Sequence, residues 1–526
     1  MPGATAGDVA PGTITGPAAR HVGGRAPGDV STARRRGKQD HVTDPGDTPP
    51  TVFVLFGASG DLAARLVLPA FFRLAQEKLL PPSWQLIGSG RRKLSDDDFR
   101  AHVREKLDEF GPKPDDGPWE DFAARLHFAS DGFSVDDPGQ LVDRVARAEQ
   151  ELGGGDPSTV QRVHYLGVPP TAFGPTTDAL GAHGLAERSR VVYEKPFGTS
   201  LESFRELDEA VHRVYDEAYV YRIDHFLGKE ATQQLRALRF ANGLFGTSWD
   251  RHHVAAVQID VPETLDVADR AEFYDATGAV LDMLVTHLFQ VAAEIAMEPP
   301  TSLASDDIAQ ARADAVKAFR PLTADDVVRG QFDGYLDIDD VADDSDTETF
   351  VAARMFVDTD RWRDVPFLMR TGKMMAESHQ KVSLVMRDPQ GGPYCPAGED
   401  GNPACADIPP RGNVIRFDLS GDGELALSMN IELPGSQSEL TTQWTTIPLH
   451  DVRGGDPLPP YVRLIHDILL GDRTLFTRPD GLEEVWEAAG AALDGSAPLH
   501  SYEPGSWGPR EALHLAEPIG WTLGDQ

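Results

Sequence analysis

A parallel α/β domain followed by an α+β domain with a large, mainly antiparallel sheet is what this sequence predicts, and three observations predict it. Near residue 50 an apolar run of strand length, "TVFVLF", leads into a glycine-rich turn and then a helical pattern. Strand and helix patterns alternate from there to about residue 224, which implies parallel strands covered by helices on both faces. Beyond about residue 225 several strand-like segments follow one another without helices between them, as in an antiparallel sheet. A chain of 526 residues is too long for one core. It divides into an expected tail at 1–49, a first domain at 50–224 and a second at 225–526.

The elements follow in order. The tail is rich in Gly, Pro, Ala and Thr, carries the basic cluster "ARRRGK" and has no apolar periodicity, so disorder is expected there. A twin-arginine signal is the other reading of that cluster, but no apolar region follows it. After the first strand, Leu62, Leu66, Ala70 and Leu74 recur at helical spacing, and Pro69 should bend that helix. "WQLIGSG" reads as a second strand, a polar helix begins near Ser95, and "VQRVHYLGVPP" and "SRVVYEKPFG" read as further buried strands. In the second domain "HVAAVQIDVPET" lies between two helical stretches. "ETFVAARMFV", "VPFLMRTGK", "KVSLVMR", "NVIRFDLS" and "ELALSMNIEL" then supply strands in succession. No internal repeat is evident.

Composition excludes several function classes. The formal charge of −35 argues against nucleic acid and against an anionic membrane as partners, because both require a basic surface. A small anionic ligand needs only a local cationic pocket. No run of about 18 apolar residues occurs, and no signal-peptide pattern opens the chain, so a cytoplasmic location is expected. Cys395 and Cys405 have a spacing that could close a small loop but could not by itself build a disulfide framework or a zinc site, and no metal is expected.

"GASGDLA" sets Gly57, Ala58, Ser59, Gly60, Asp61 and Leu62 between strand and helix, in a G-x-x-G-x-x-A pattern completed by Ala63. Glycine lets the backbone approach a phosphate, and the helix start offers free N–H groups and the positive end of its dipole. Tight turns use glycine for backbone reasons as well, so the second strand sharpens the reading. Where an NAD site of this Rossmann type ends that strand in an acid, this chain has "IGSGRRK", with Arg91 and Arg92. Guanidinium groups there suit a 2′-phosphate and favour NADP, while a solvated basic turn remains the plain alternative.

A second cluster is "YRIDHFLGKE", which packs Asp224, His225 and Lys229 around Gly228. On a helix His225 and Lys229, four apart, face one way, while Asp224 and His225 diverge by about 100°. The pair of cations suits a phosphate and the carboxylate suits a base. His287 follows Met283 and Leu284 at helical spacing, toward an apolar face, where a satisfied core histidine is the bland reading. Asp282 is five residues away, about 140° around an α-helix.

Taken together these residues resemble the glucose-6-phosphate dehydrogenase family. The resemblance rests on "GASGDLA", "EKPFG", "RIDHFLGKE", "LRFANGLF", "HLFQ", "AMEPP", "PFLMRTGK", "GDRTLF" and "PGSWGP", in the family's order from about residue 50 to 510. It implies oxidation of glucose 6-phosphate to 6-phosphogluconolactone with reduction of NADP, and a homodimer or homotetramer formed through the second domain. It implies His287 as the general base with Asp224 holding its other nitrogen, and Lys195 touching both substrate and cofactor. His225 and Lys229 fall on phosphate positions, Glu263, Asp282 and Lys373 on sugar positions, and Arg91 on the 2′-phosphate position. Departures are Phe226 for the commoner Tyr, Thr286 for Asn, "LDVADRAEF" without the family's glycines, and Ser378 at a position basic in some members. A dehydrogenase for another aldose phosphate and a catalytically silent paralogue are the competing expectations.

Overall fold

The computed structural model describes residues 48–524, apart from 114, 268–269, 390–393, 395–412, 422, 437–438 and 450–457. The expected tail up to residue 47 and the pairing of Cys395 with Cys405 lie outside the described residues.

Six strands open the chain: β1 (Thr51–Phe56), β2 (Trp84–Ser89), β3 (Leu126–Ala129), β4 (Gln161–Leu166), β5 (Ser189–Tyr193) and β6 (Val220–Ile223). They pair in parallel in the spatial order β6-β5-β4-β1-β2-β3. Every residue of β1 is buried, as expected for a central strand with helices on both faces. Because the order reverses at β1, a crevice opens at the carboxyl ends of β1 and β4.

The second sheet has β7 (Val254–Pro262), β8 (Val327–Phe332), β9 (Phe350–Met355), β10 (Phe367–Gly372), β11 (Lys381–Met386), β12 (Val414–Asp418), β13 (Glu424–Glu432) and β14 (Leu440–Pro448). A short β15 (Phe476–Thr477) returns to the first sheet as an antiparallel edge beside β6, and β16 (Leu499–Tyr502) closes the second. The second sheet runs β14-β13-β12-β11-β7-β10-β9-β8-β16, and its pairs are antiparallel except β7–β10 and β8–β16. The predicted fold class holds in both parts.

Three local features differ from the sequence reading or refine it. Ala63–Val67 form a π-helical segment ahead of the α-helix Leu68–Gln76, with the Leu68 N–H reaching back to Ala63 O. Pro69 falls in the first turn of that α-helix, where its missing N–H costs least, and Leu66 leaves the apolar stripe for solvent at 39% exposure. The polar helix Asp96–Phe110 starts at Ser95, which caps it in a reciprocal box with Asp98. Finally, Leu464, Ile465, Ile468 and Phe476 join Phe53, Leu55 and Phe72 in one core, so residues far along the chain complete the packing of the first sheet.

Against the second sheet lies a continuous helical stretch, Val280–Leu288 in π form and then Phe289–Ala296 in α form. All eight residues of the α part are buried, and Leu284 and Leu288 pack with Ile259, Met369 and Val382 of the sheet. A helix apolar on every side is a core helix. Its polar residues are therefore held in place by packing.

The turn after β1 tolerates only glycine at its first position. Gly57 has φ +71°, and a Cβ there would lie 2.1 Å from Gly167 O. Gly57→Ala is expected to lower stability by at least ~1–2 kcal/mol, the strain of a left-handed non-glycine residue, and to weaken dinucleotide binding. Urea unfolding and cofactor titration of the variant check both effects.

Candidate active site

β5 and β6 are neighbours, and each ends in a functional group. Glu194 and Lys195 follow Tyr193, and Asp224 follows Ile223, so the parallel pairing sets Lys195 and Asp224 at the same edge of the sheet. The buried helix Val280–Leu288 brings His287 to this edge. His287 Nδ1 lies 2.8 Å from Asp224 Oδ1, which also accepts the Phe226 N–H at 2.8 Å. His287 is 0% exposed and Asp224 2%. With the carboxylate as acceptor, Nδ1 carries the proton and Nε2 presents its lone pair. Nε2 meets no protein partner.

The segment from Asp224 to Lys229 is a tight turn, not the start of a helix. The Gly228 N–H reaches Asp224 O at 3.3 Å and the Lys229 N–H reaches Phe226 O at 3.3 Å. Lys229 is extended, with φ −70° and ψ 131°, and the helix Glu230–Ala241 begins after it. The i,i+4 helical pairing of His225 with Lys229 is therefore replaced by a folded turn. Packing of Leu464 against Gly228 explains it in part, since a Cβ at Gly228 would meet Leu464 Cδ1 at 2.9 Å. Phe226 is buried, with its ring stacked on His287 at 4.6 Å and Lys229 Nζ 3.9 Å over it. The His225 ring meets His287 edge-on at 4.4 Å.

Asp282 also bears on His287, and the helix that carries both is in π form. In the π form hydrogen bonds connect residues five apart, as between the cap Phe289 N–H and Leu284 O, so residues five apart stack on one face. The 140° divergence expected between Asp282 and His287 closes up, and the Asp282 charge acts directly on the imidazole. Lys195 Nζ donates to Asp282 Oδ1 at 2.8 Å. Lys373 pairs with Glu263, and Lys229 donates to Gln380. Lys373 also acts on Asp282 and Glu263 on Lys229, so these groups form one electrostatic cluster with the buried pair.

Burial decides the charge states. Desolvation, with Lys195 and Lys229 adding repulsion, holds His287 well below the usual imidazole range, so the ring is a neutral base. Desolvation likewise pushes Asp224 up to about 6, opposed by His225 and by the Phe226 N–H. Lys229 is drawn down by burial to about 8 and stays mainly protonated at neutral pH. For Asp282 burial acts upward, but Lys195 outweighs it and the carboxyl is lowered. Asp224, His225 and His287 each bring a ligand atom within 4.8 Å of the others, yet Lys195 and Lys229 bear on the same point and oppose a metal ion there.

At the other end of the crevice, the Gly57 and Ala58 N–H groups bond back to Ser89 O at 2.9 and 3.3 Å, and Gly60 N–H to Gly57 O at 2.8 Å. This tightens the turn so that Ser59, Gly60 and Asp61 lie at the helix start, with Gly60 and Asp61 exposed. The exposed helix start and the glycine-only approach at Gly57 suit a pyrophosphate. Asp61 is paired with Arg65 at 2.6 Å. Arg91 and Arg92 are exposed just past the end of β2, and neither forms a salt bridge among the described residues, whereas Lys93 pairs with Asp131 at 3.5 Å.

Comparison with known proteins identifies the family. Residues 54–234 match the family model described as "Glucose-6-phosphate dehydrogenase, NAD binding domain", and residues 236–522 match its C-terminal domain. The chain belongs to the glucose-6-phosphate dehydrogenase family. It is 35% identical to glucose-6-phosphate 1-dehydrogenase 1 of Mycobacterium tuberculosis, over 90% of this chain and 96% of that protein. It is 34% identical to the Bacillus subtilis glucose-6-phosphate 1-dehydrogenase, over 89% and 96%. The crystal structure of the Mycobacterium avium enzyme superposes with a TM-score of 0.79 at 33% identity, covering 91% of this chain and 99% of that one. A glucose-6-phosphate dehydrogenase solved in complex with its substrate glucose-6-phosphate gives 0.81 at 28% identity, with the same coverage.

Within this glucose-6-phosphate dehydrogenase fold, three polar groups at the site carry no role in the sequence reading. Glu194 lies inside the "EKPFG" motif, and its carboxylate accepts from Tyr165 and, at 3.4 Å, from Tyr461. The motif pointed to its neighbourhood but not to its burial. Gln380, on Lys229, and Tyr274, whose ring lies 5.5 Å from Lys373 Nζ, had no sequence signal at all.

Burial pushes the Glu194 carboxyl up to about 7, against the two tyrosine hydroxyls and Lys195. A carboxyl whose folded value exceeds its unfolded one holds more protons in the native state. Its contribution is full below about 4.5 and is lost as pH rises through about 7. The wild type should lose up to about 3 kcal/mol between pH 5 and 8 that Glu194→Gln does not lose. Parallel urea titrations of both proteins across that range measure the difference.

Proposed function

We propose that this chain oxidises D-glucose 6-phosphate at C1 to 6-phospho-D-glucono-1,5-lactone, the first step of the oxidative pentose phosphate pathway, with NADP as its cofactor. The observation that carries the reading is a neutral imidazole, His287, with Nδ1 held by a buried carboxylate and Nε2 free. That is the arrangement of a general base whose tautomer is set by its partner. The names of the relatives, and the bound substrate of one of them, support the sugar phosphate as the ligand.

In this reading His287 Nε2 takes the proton of the C1 hydroxyl, and Asp224 stabilises the imidazolium that forms. A bound nicotinamide dinucleotide supplies the hydride acceptor. His225 and Lys229 bind the phosphate. Lys195 stands between sugar and cofactor, and Asp282, Glu263 and Lys373 bind the sugar hydroxyls. Because His287 Nε2 is covered, entry of the sugar requires the surrounding side chains to part, and Lys195 and Lys373 exchange carboxylate partners for substrate. Phe226, stacked on His287, has its ring taken up as the floor of the imidazole. Arg91 meets the 2′-phosphate of NADP, consistent with its free guanidinium and with the absence of an acid at the end of β2.

Self-association as a homodimer or homotetramer is part of the proposal. The edge hairpin of β13 and β14 exposes Met429, Ile431, Trp444 and Ile447 by 44–48% each, an unusual concentration for a solvated surface.

Steady-state assays of glucose 6-phosphate against other aldose phosphates, each with NADP and NAD, test the activity itself. His287→Asn is expected to lower kcat at least ~10²-fold with cofactor binding retained, since base removal acts on the transition state. Asp224→Asn should lower kcat with little change in KM, and near-normal turnover of either variant rejects the base assignment.

Arg91→Ala is expected to weaken NADP about 10-fold or more while NAD is little affected, on the scale of one charged hydrogen bond. Fluorescence titration with the two dinucleotides decides it. Equal losses for both would make Arg91 a general contact.

A further inference from the structure

Asp224 has two carboxylate oxygens, and the pair with His287 accounts for one. Oδ1 takes the His287 and Phe226 N–H groups, while Oδ2 is buried and meets no protein partner. A buried carboxylate oxygen without a hydrogen bond is strongly unfavourable. Asp224 also lines a small cavity of about 20 Å3, and two hydroxyl residues line it too. Thr477 Oγ1 is buried and has no protein partner either. The Thr286 hydroxyl donates to Leu281 O at 2.6 Å and keeps lone pairs to offer. The rest of the lining is mostly apolar, including Val285 and Leu482.

A buried water needs roughly 10–15 Å3 and two to four polar partners; the cavity has that volume, and two of its lining residues carry buried polar atoms without a protein partner. We propose that one ordered water fills it, donates to Asp224 Oδ2 and bonds to Thr477, which makes Thr477 a positioning residue for the Asp224–His287 pair. Thr477 stands on β15, in register with Arg222 of β6, so the strand that carries the hydroxyl is hydrogen-bonded to the strand that delivers the carboxylate. The other groups bearing on Asp224 are Lys195 at the end of β5, Arg312 on the helix Ser305–Lys317 and, in the same turn, His225, which burial and His287 hold well below the usual imidazole range, so that it is a neutral ring and not the second cation expected beside Lys229. None of them hydrogen-bonds Oδ2. The water therefore stops the carboxylate from turning and keeps Oδ1 aimed at His287 as the imidazole gains its proton.

The inference rests on the base assignment made above, and the test separates the two. Thr477→Val keeps the shape and removes the hydroxyl. It should lower kcat for glucose 6-phosphate about 5- to 10-fold, the scale of one hydrogen bond, with KM for sugar and cofactor unchanged and the acid limb of the kcat/KM profile displaced. Thr477→Ser should restore wild-type values. A crystal structure of the wild type should show a water within hydrogen-bonding distance of Asp224 Oδ2 and Thr477 Oγ1, and the Val variant should lose or displace it. A dry cavity overturns the inference, as does a Val variant with unchanged kcat, or one whose only defect is a raised KM. If Asp224→Asn removes turnover while Thr477→Val does not, the water inference falls alone. If Asp224→Asn is harmless, the base assignment falls first.

Discussion

A carboxylate and an imidazole kept together out of water are the constraint around which this molecule is arranged. Neither group tolerates such burial alone, because the charged form of each loses its hydration. Asp224 is made tenable by the Phe226 N–H and the His287 ring, and His287 by remaining neutral. Two sheets have to meet for this to happen. The carboxylate comes from the end of a strand in the parallel sheet, and the imidazole from a core helix packed on the antiparallel one. The strand β15, returning late in the chain to lie beside β6, fastens the carboxylate's side of that junction.

Around the pair the charges are graded. Lys195 and Lys373 are each matched to a carboxylate, Asp282 and Glu263, while Lys229 has only a neutral amide and an aromatic face. A chain with a net charge of −35 thus concentrates cations at one interior edge. Its long-range field repels an anion, and Lys229, which has no carboxylate partner among the described residues, is the local charge that would offset it. At contact distances the local charges prevail, because surface charge is screened within about 8–10 Å at ordinary ionic strength while partly buried groups are screened much less.

Much of the site was legible in the sequence because short segments deliver it. "GASGDLA" spans one strand-to-helix turn, and the structure puts its glycine at the one position with a backbone carbonyl 2.1 Å from any added Cβ. "EKPFG" follows the end of β5 and "RIDHFLGKE" spans the end of β6, so their candidate residues are neighbours once β5 and β6 pair. What spacing misjudged came from assuming α geometry. The π form brings Asp282 and His287 to one face, and a folded turn replaces the helix start at His225. A π segment is stabilised by what packs around it and leaves no mark in apolar periodicity. Besides β3, β6, β8 and β16, strands β14 and β15 were missed, for different reasons. The first is threonine-rich with most of its residues exposed, and the second has two residues and exists only because β6 offers an edge.

By itself the sequence determined the two fold classes, the order of most of the strands, the glycine turn after β1, and Asp224 and His287 as candidate partners. Those depend on local geometry and on residue chemistry that travels with a motif. The tertiary structure alone decided that Glu194 is buried beneath two tyrosines, that Gln380 reaches Lys229 and that Thr477 shares a cavity with Asp224. These contacts join residues from 29 to 267 positions apart. No periodicity encodes them, because burial and partnership at such separations are set by how the sheets pack and not by any property of the local chain.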